Sequence, residues 1–256
     1  MGAKLTDRND PRAIKVPAVT LLFWIIKIAA TTLGETGGDA VSMSMNLGYL
    51  VGTGIFAVVF IAAVSGQIAA AGFRPALYWT TIIATTTVGT TLADFADRSL
   101  GIGYAGGTTL LLTLLLASLF TWHRTLGSVS IDTVSTPRAE MFYWVTIMLS
   151  QTLGTALGDW TADTAGFGYL GAAAVFGGML IVVAACYFWT RWSRTALFWA
   201  AFVLTRPLGA VVGDFLDKPV AKGDLALSRY SASATLIMFM VGCLLFLKQR
   251  PARAAH

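Results

Sequence analysis

Five carboxylates stand within or at the ends of apolar stretches of this chain: Glu35, Asp39, Asp94, Asp159 and Asp214. Read backwards at intervals of four, which keeps to one helix face, each Asp heads a ladder. The ladders are Lys27–Thr31–Glu35–Asp39, Ile82–Thr86–Thr90–Asp94, Ile147–Gln151–Thr155–Asp159 and Phe202–Arg206–Ala210–Asp214. Charged side chains inside spans face a bundle interior or an aqueous cavity and mark ion or proton paths. The five acids outnumber Lys27 and Arg206 by three. Such an excess in a low dielectric is unstable unless protons or metal are taken up. Carboxylates, hydroxyls and amides suit hard cations such as Mg²⁺, Ca²⁺ or Mn²⁺. The candidate ion ligands are therefore Glu35, Asp39, Asp94, Asp159 and Asp214, completed by Thr31, Thr86, Thr90, Gln151 and Thr155. Lys27 and Arg206 are the internal counter-charges, as partners of Glu35 and Asp214 or as cations that fill the site when substrate leaves. No His or Cys lies in a ladder, against zinc or copper, and Met43 and Met45 beside Asp39 tilt the choice toward Mn²⁺. The blander alternative is that Gly and Asp merely end each helix, with Asp in an exposed turn.

The elements that position these residues are apolar and repeated. Hydrophobic residues make up 56% of the 256-residue chain and charged residues 12%, against about one-quarter charged in an average soluble domain. A span needs about 20 mostly apolar residues. Eight such segments are predicted, over 16–36, 47–70, 76–95, 101–122, 141–160, 167–190, 196–216 and 230–247. One phrase recurs four times: Trp24–Gly34–Asp39, Trp79–Gly89–Asp94, Trp144–Gly154–Asp159 and Trp199–Gly209–Asp214, with the tryptophans 55, 65 and 55 residues apart. The expected fold is an all-α integral membrane protein of eight transmembrane helices in four tandem two-helix repeats. These fall over about 17–72, 73–126, 139–192 and 193–247 of a membrane domain at 17–247, between polar tails at 1–16 and 248–256. The wide middle spacing comes from a polar linker at 127–138 and predicts two four-helix halves with pseudo-symmetry about the membrane normal; a pseudo-fourfold ring fits it too. Gly48-Tyr49, Gly103-Tyr104 and Gly168-Tyr169 open the second spans of three repeats, and the fourth departs with a longer loop. The tryptophans are expected to sit at the interface or pack between helices.

Lys and Arg set the orientation. Lys4, Arg8, Arg12, Lys15, Arg74, Arg124, Arg138, Arg191, Arg194, Lys248, Arg250 and Arg253 share one side, which places both termini in the cytoplasm. The opposite turns carry Asp97, Asp163 and Asp217, diluted in the last by Lys218, Lys222 and Arg229. The net charge of +5 is thus a topology signal, and no nucleic-acid patch is seen. No cleavage site follows the first basic stretch, so no cleaved signal is expected. Cys186 and Cys243 fall inside spans without a CxxC partner.

With Leu33-Gly34 to Asp39, Val88-Gly89 to Asp94, Leu153-Gly154 to Asp159 and Leu208-Gly209 to Asp214, the chain resembles a bacterial family of membrane-anchored proteins built from tandem two-span repeats of unknown function. The resemblance runs over about residues 17–247. It implies the four-repeat architecture and a bacterial inner-membrane location, and brings no activity.

The ladders make a metal-cation transporter the expected function, an exporter of Mn²⁺ or another hard divalent ion driven by protons or the membrane potential. Its partners are the bilayer, the cation and protons, with no resident cofactor. A cation channel with a carboxylate ring, a carrier whose Arg206 and Lys27 bind an organic carboxylate, and a non-transporting structural or sensory module remain open. No GxSxG, HExxH, Cys/His pair or nucleotide loop is present, so no catalytic residue is assigned and no enzyme is expected.

Overall fold

The computed structural model describes residues 14–220 and 224–252; Lys4, Arg8, Arg12, Lys222, Arg253 and His256 lie outside them. The described residues form eight long helices: α1 (Leu21–Asp39), α2 (Tyr49–Ala69), α3 (Pro75–Asp94), α4 (Gly103–Leu126), α5 (Pro137–Asp159), α6 (Gly168–Trp189), α7 (Arg194–Asp217) and α8 (Arg229–Phe246). Their starts answer to local chemistry. Thr20, Thr136 and Ser193 accept a backbone N–H as N-caps of α1, α5 and α7, and Pro75 and Pro137 occupy first turns, where a missing N–H costs nothing. After the repeated Asp, α1, α3 and α5 each run on into five π-helical residues, Ala40–Ser44, Phe95–Ser99 and Trp160–Thr164. Gly48, Gly103 and Gly168 then turn the chain at φ of 77°, 73° and 66°, a conformation that excludes most side chains. That is why Gly-Tyr recurs there. The fourth repeat has no Gly-Tyr pair, Arg229 preceding Tyr230. Its α7–α8 loop folds back on the helix end, with Leu225, Ala226 and Leu227 donating to Phe215, Lys218 and Leu216 carbonyls.

The odd helices close an inner ring. α1 packs on α3, α3 on α5, α5 on α7, and α7 back on α1. Each even helix lies outside, against the first helix of the following repeat: α2 on α3, α4 on α5, α6 on α7, and α8 on α1. The architecture is therefore the pseudo-fourfold ring and not two four-helix halves, because the contact between α3 and α5 has the same character as the other three.

Glycine is the physical reason. A Cβ on Gly34 would lie 2.3 Å from Thr86 Cβ, on Gly89 2.9 Å from the Gln151 carbonyl carbon, and on Gly209 2.6 Å from Thr31 Cβ; on Gly154 it would collide with Arg206. Each repeat thus seats its mid-helix glycine against the ladder residue two turns before the next repeat's Asp. Small residues allow this close approach of backbones, so the repeated Gly is a helix contact and not a helix end.

Inner and outer helices differ in chemistry accordingly. Five helices, α2, α4, α6, α7 and α8, are long and apolar enough to cross a membrane on their own composition. The outer ones present Leu50, Val58, Ile61, Phe188 and Phe246 outward. α1, α3 and α5 are more polar because their threonines and charges face the ring. The threonines satisfy themselves by donating to the preceding turn, as Thr81 does to Leu77, Thr85 to Ile82 and Thr87 to Ile83.

The N-terminal end of the ring is filled by aromatics. Every repeat opens with an aromatic–Trp pair: Phe23-Trp24, Tyr78-Trp79, Tyr143-Trp144 and Phe198-Trp199. Trp79, Trp144 and Trp199 are buried, Trp24 is partly so, and they join Trp122 in one cluster. Tyr78 and Tyr143 share a 2.6 Å hydrogen bond between their hydroxyls. The flanking segments seal this end. Ala18 donates to Arg250 and Ala252 to Val16, Ile14, Val16, Ile131 and Val134 are buried, and Trp199 donates to the Val129 carbonyl of the linker.

Candidate functional site

The opposite end of the ring gathers the acids. Asp39, Asp94 and Asp159 close their α-helices, and Asp214 lies in the last turn of α7. A fourfold ring of equivalent helices brings equivalent positions together, and all four are at most 2% exposed. Glu35, one turn deeper, is also buried. Ligand oxygens of Glu35, Asp39 and Asp214 lie within 4.8 Å of one another. The Asp residues are therefore not exposed turn caps.

Two cations bind this ring at alternate seams. Arg98 reaches Asp94 at 3.0 Å and Asp159 at 3.2 Å. Lys218 reaches Asp214 at 3.0 Å and Asp39 at 3.3 Å. Each stands four residues after its own repeat's Asp, on the same face, and spans to the Asp of the next repeat. Burial works against the charge on both, but the adjoining carboxylates outweigh it and raise both pKa values. Tyr49 and Tyr104, from the starts of α2 and α4, accept hydrogen bonds from Arg98 at 3.2 and 3.1 Å. Arg229 reaches Asp217 at 2.7 Å and Asp39 at 3.6 Å.

These cations alter the charge balance expected from the ladders alone. With Arg98, Lys218 and Arg229 added to Lys27 and Arg206, and Asp217 added to the acids, six acids face five bases. Arg98 lies in the π-helical residues that follow Asp94, and Lys218 directly follows the last turn of α7. Their spacing of four from Asp94 and Asp214 is the signal that locates them.

Below the Asp ring, Arg206 is fully buried and places Nη2 at 2.8 Å from Glu35 Oε2 and 2.6 Å from Thr90 Oγ1, with Thr155 Oγ1 as a third partner. Thr90 lies 3.2 Å from the same Glu35 oxygen. Glu35, Thr90, Thr155 and Arg206 thus meet at the centre of the ring, one from each inner helix. Arg206 is the partner of Glu35. Asp214 pairs with Lys218, and Lys27 pairs with no acid among the described residues, its Nζ lying 4.1 Å from the centroid of the Phe202 ring. Thr31 and Thr86 spend their hydroxyls on backbone carbonyls, so they serve the helix contacts. Gln151 is buried with its amide unpartnered among the described residues.

The remaining turn acids divide. Asp97 is buried against Gly107, Asp217 holds Arg229, and Asp163 is exposed and accepts from Tyr169 at 3.3 Å. Met43 is partly buried, and Met45 is 52% exposed.

One glycine contact, one aromatic–Trp pair and one buried Asp recur in all four repeats, and each sequence repeat joins an inner helix to the outer helix that follows it. The chain belongs to the family described as a Repeat of Unknown Function (DUF347). The family pattern matches four times, over residues 22–73, 77–128, 142–193 and 197–250. No curated protein and no solved structure matches the chain. In this family's terms, each matched unit begins just before the repeated Trp and ends after the outer helix. The packing unit differs from it, since the outer helix of one match covers the inner helix of the next.

Proposed function

We propose that the protein is a membrane carrier for a hard cation, with all eight helices crossing a bacterial inner membrane and both termini cytoplasmic. The supporting observation is the approach of three buried carboxylates, Glu35, Asp39 and Asp214, to within 4.8 Å. Oxygen ligands at that separation suit Mg²⁺, Ca²⁺ or Mn²⁺. Lys218 stands on two of them, so an arriving cation exchanges with a tethered ammonium. Release of the cation lets Lys218 return, which keeps the acids compensated in both states. The aromatic end supports a carrier over an open channel, because the ring axis is filled there by Tyr78, Tyr143 and their tryptophan neighbours.

The test is thermal stability of the purified protein in detergent against Mn²⁺, Mg²⁺, Ca²⁺ and Na⁺, followed by uptake into proteoliposomes. A ligand that binds only the folded state raises its stability by about 2.7 kcal/mol at 100 times Kd. A shift for one divalent cation that Asp214→Asn abolishes, with matching uptake, is the expected result. Equal melting in all four cations, or uptake unchanged in Asp214→Asn and Glu35→Gln, rejects the site.

A further inference from the structure

The acids occupy one level of the inner ring, and the level beneath holds the opposite imbalance. Lys27 Nζ, Arg206 Nε and Nη1, and both atoms of the Gln151 amide have no hydrogen-bond partner among the described residues. All three side chains are 0% exposed. Arg206 gives only Nη2 to Glu35, Thr90 and Thr155, so three of its N–H bonds remain unused. Lys27 stands one turn deeper, where the other three ladder positions are Ile82, Ile147 and Phe202, all buried. Among the described residues its ammonium meets the face of the Phe202 ring, one turn before Arg206 on α7.

Unused donors buried at this depth are costly, and a buried charge more so. Water can satisfy N–H groups but leaves the charge uncompensated. Glu35 already balances Arg206, so a protonated Lys27 has no acid to balance it among the described residues. We propose that Lys27, Gln151 and Arg206 form a binding site for a small monovalent anion, a halide or a small carboxylate, below the carboxylate cluster. The donor set is ammonium, guanidinium and amide, which selects anions and repels the cation bound above. One negative charge neutralises the level, and the walls of Ile82, Ile147 and Phe202 favour an ion without further polar groups. An anion on Arg206 Nε and Nη1 also shares the guanidinium's charge with Glu35, which keeps Nη2, and so leaves the Glu35 carboxylate less neutralised and a stronger ligand for the cation. That coupling rests on the cation-carrier reading, whereas the anion site does not.

The experiment melts the purified full-length protein in EDTA-containing buffer at constant ionic strength. Sodium gluconate, much bulkier than a halide or formate, is replaced stepwise by sodium chloride, bromide or formate. The expected result is a rise in melting temperature that grows with the logarithm of anion concentration and reaches roughly 5 °C at 100 times Kd. At least tenfold weaker binding is expected in both Lys27→Met and Gln151→Leu, with the rise retained in Asp214→Asn. The halide and formate arms separate the two anion classes. Identical melting in every salt overturns the proposal, as does the same rise in wild type and both variants. Should a variant fail to fold, bromide anomalous scattering from wild-type crystals decides: a peak beside Lys27 Nζ and Gln151 Nε2 supports the site, and its absence overturns it. Loss of the anion effect with an intact Asp214-dependent cation shift removes the anion site alone.

Discussion

Gly209→Ala tests the ring most directly. The added methyl would lie 2.1 Å from Thr31 Oγ1, 2.6 Å from Thr31 Cβ and 3.0 Å from its carbonyl carbon. A rotamer change moves the hydroxyl but neither of the other two atoms, so α1 and α7 must part by roughly 1 Å to restore ordinary contact, forfeiting a quarter to a half of the dispersion energy along the seam. Overpacking of this kind costs about 1–3 kcal/mol, and the moved Thr31 gives up its hydrogen bonds to the Lys27 and Ile28 carbonyls. Against this, Ala is better than Gly in a helix by about 1 kcal/mol. Gly37 on α1 isolates that gain, because nothing lies within 4 Å of its would-be Cβ. We expect Gly37→Ala to melt slightly above wild type and Gly209→Ala below it. A separation of about 2 kcal/mol corresponds to roughly 4–8 °C for a domain of this size. Gly34→Ala, facing Thr86 Cβ at 2.3 Å, should fall with Gly209→Ala. If Gly209→Ala melts with Gly37→Ala in a detergent thermal-shift assay, the glycine-closed ring is wrong.

Arg206→Met leaves Glu35 buried without its base and should cost about 3–5 kcal/mol of stability, much of it regained on adding Glu35→Leu; a double variant as unstable as the single one would show that the pair is not the cause. Tyr78→Phe breaks the hydroxyl pair with Tyr143 and should cost about 1–3 kcal/mol. Adding Tyr143→Phe should then cost less than its own single change, and strict additivity in melting would argue against a shared bond. Lys218→Ala removes the ammonium that stands on Asp39 and Asp214, so cation titration should show tighter binding; an unchanged Kd would dismiss the exchange of Lys218 for the cation.

α2, α4, α6, α7 and α8 are legible as candidate spans because each is a long apolar length, and the repeat because Trp, Gly and Asp keep their register. α1, α3 and α5 fall short of a span by composition alone, yet their sequence boundaries are nearly right, since the Trp and Asp mark their two ends. The ring was not legible from those marks. A residue period fixes which face a side chain takes, and says nothing about which helix that face meets. The overlooked signal was the small residue four positions after each glycine, Gly38, Ala93, Gly158 and Gly213, a stripe that only a close helix neighbour requires. The approach of Glu35, Asp39 and Asp214 to one another depends on that ring, which the residue period does not give. Arg98 and Lys218 escape a reading that ends each helix near its Asp, whereas the π-helical extension of α3 and the last turn of α7 carry the same face onward.

The inner helices repeat fourfold, but the charges on them repeat only twofold. The position four after each Asp holds Met43, Arg98, Asp163 and Lys218 in turn, so the second and fourth repeats supply the cations. Arg98 ties the second repeat to the third, and Lys218 ties the fourth to the first. At the Asp level no ion pair joins the first repeat to the second, or the third to the fourth, among the described residues. A movement that opens the acid end would break the fewest contacts along those two seams, with repeats two and three moving as one body against repeats four and one. Sequence-adjacent halves would instead tear both clamps. Gly158 and Ala210 face each other across one untied seam, with a Gly158 Cβ 3.4 Å from that of Ala210, close to disulfide spacing. In a Cys186→Ser, Cys243→Ser background, oxidised Gly158→Cys/Ala210→Cys should therefore stop cation uptake into proteoliposomes, and reductant should restore it. Uptake that ignores the cross-link would place the opening elsewhere.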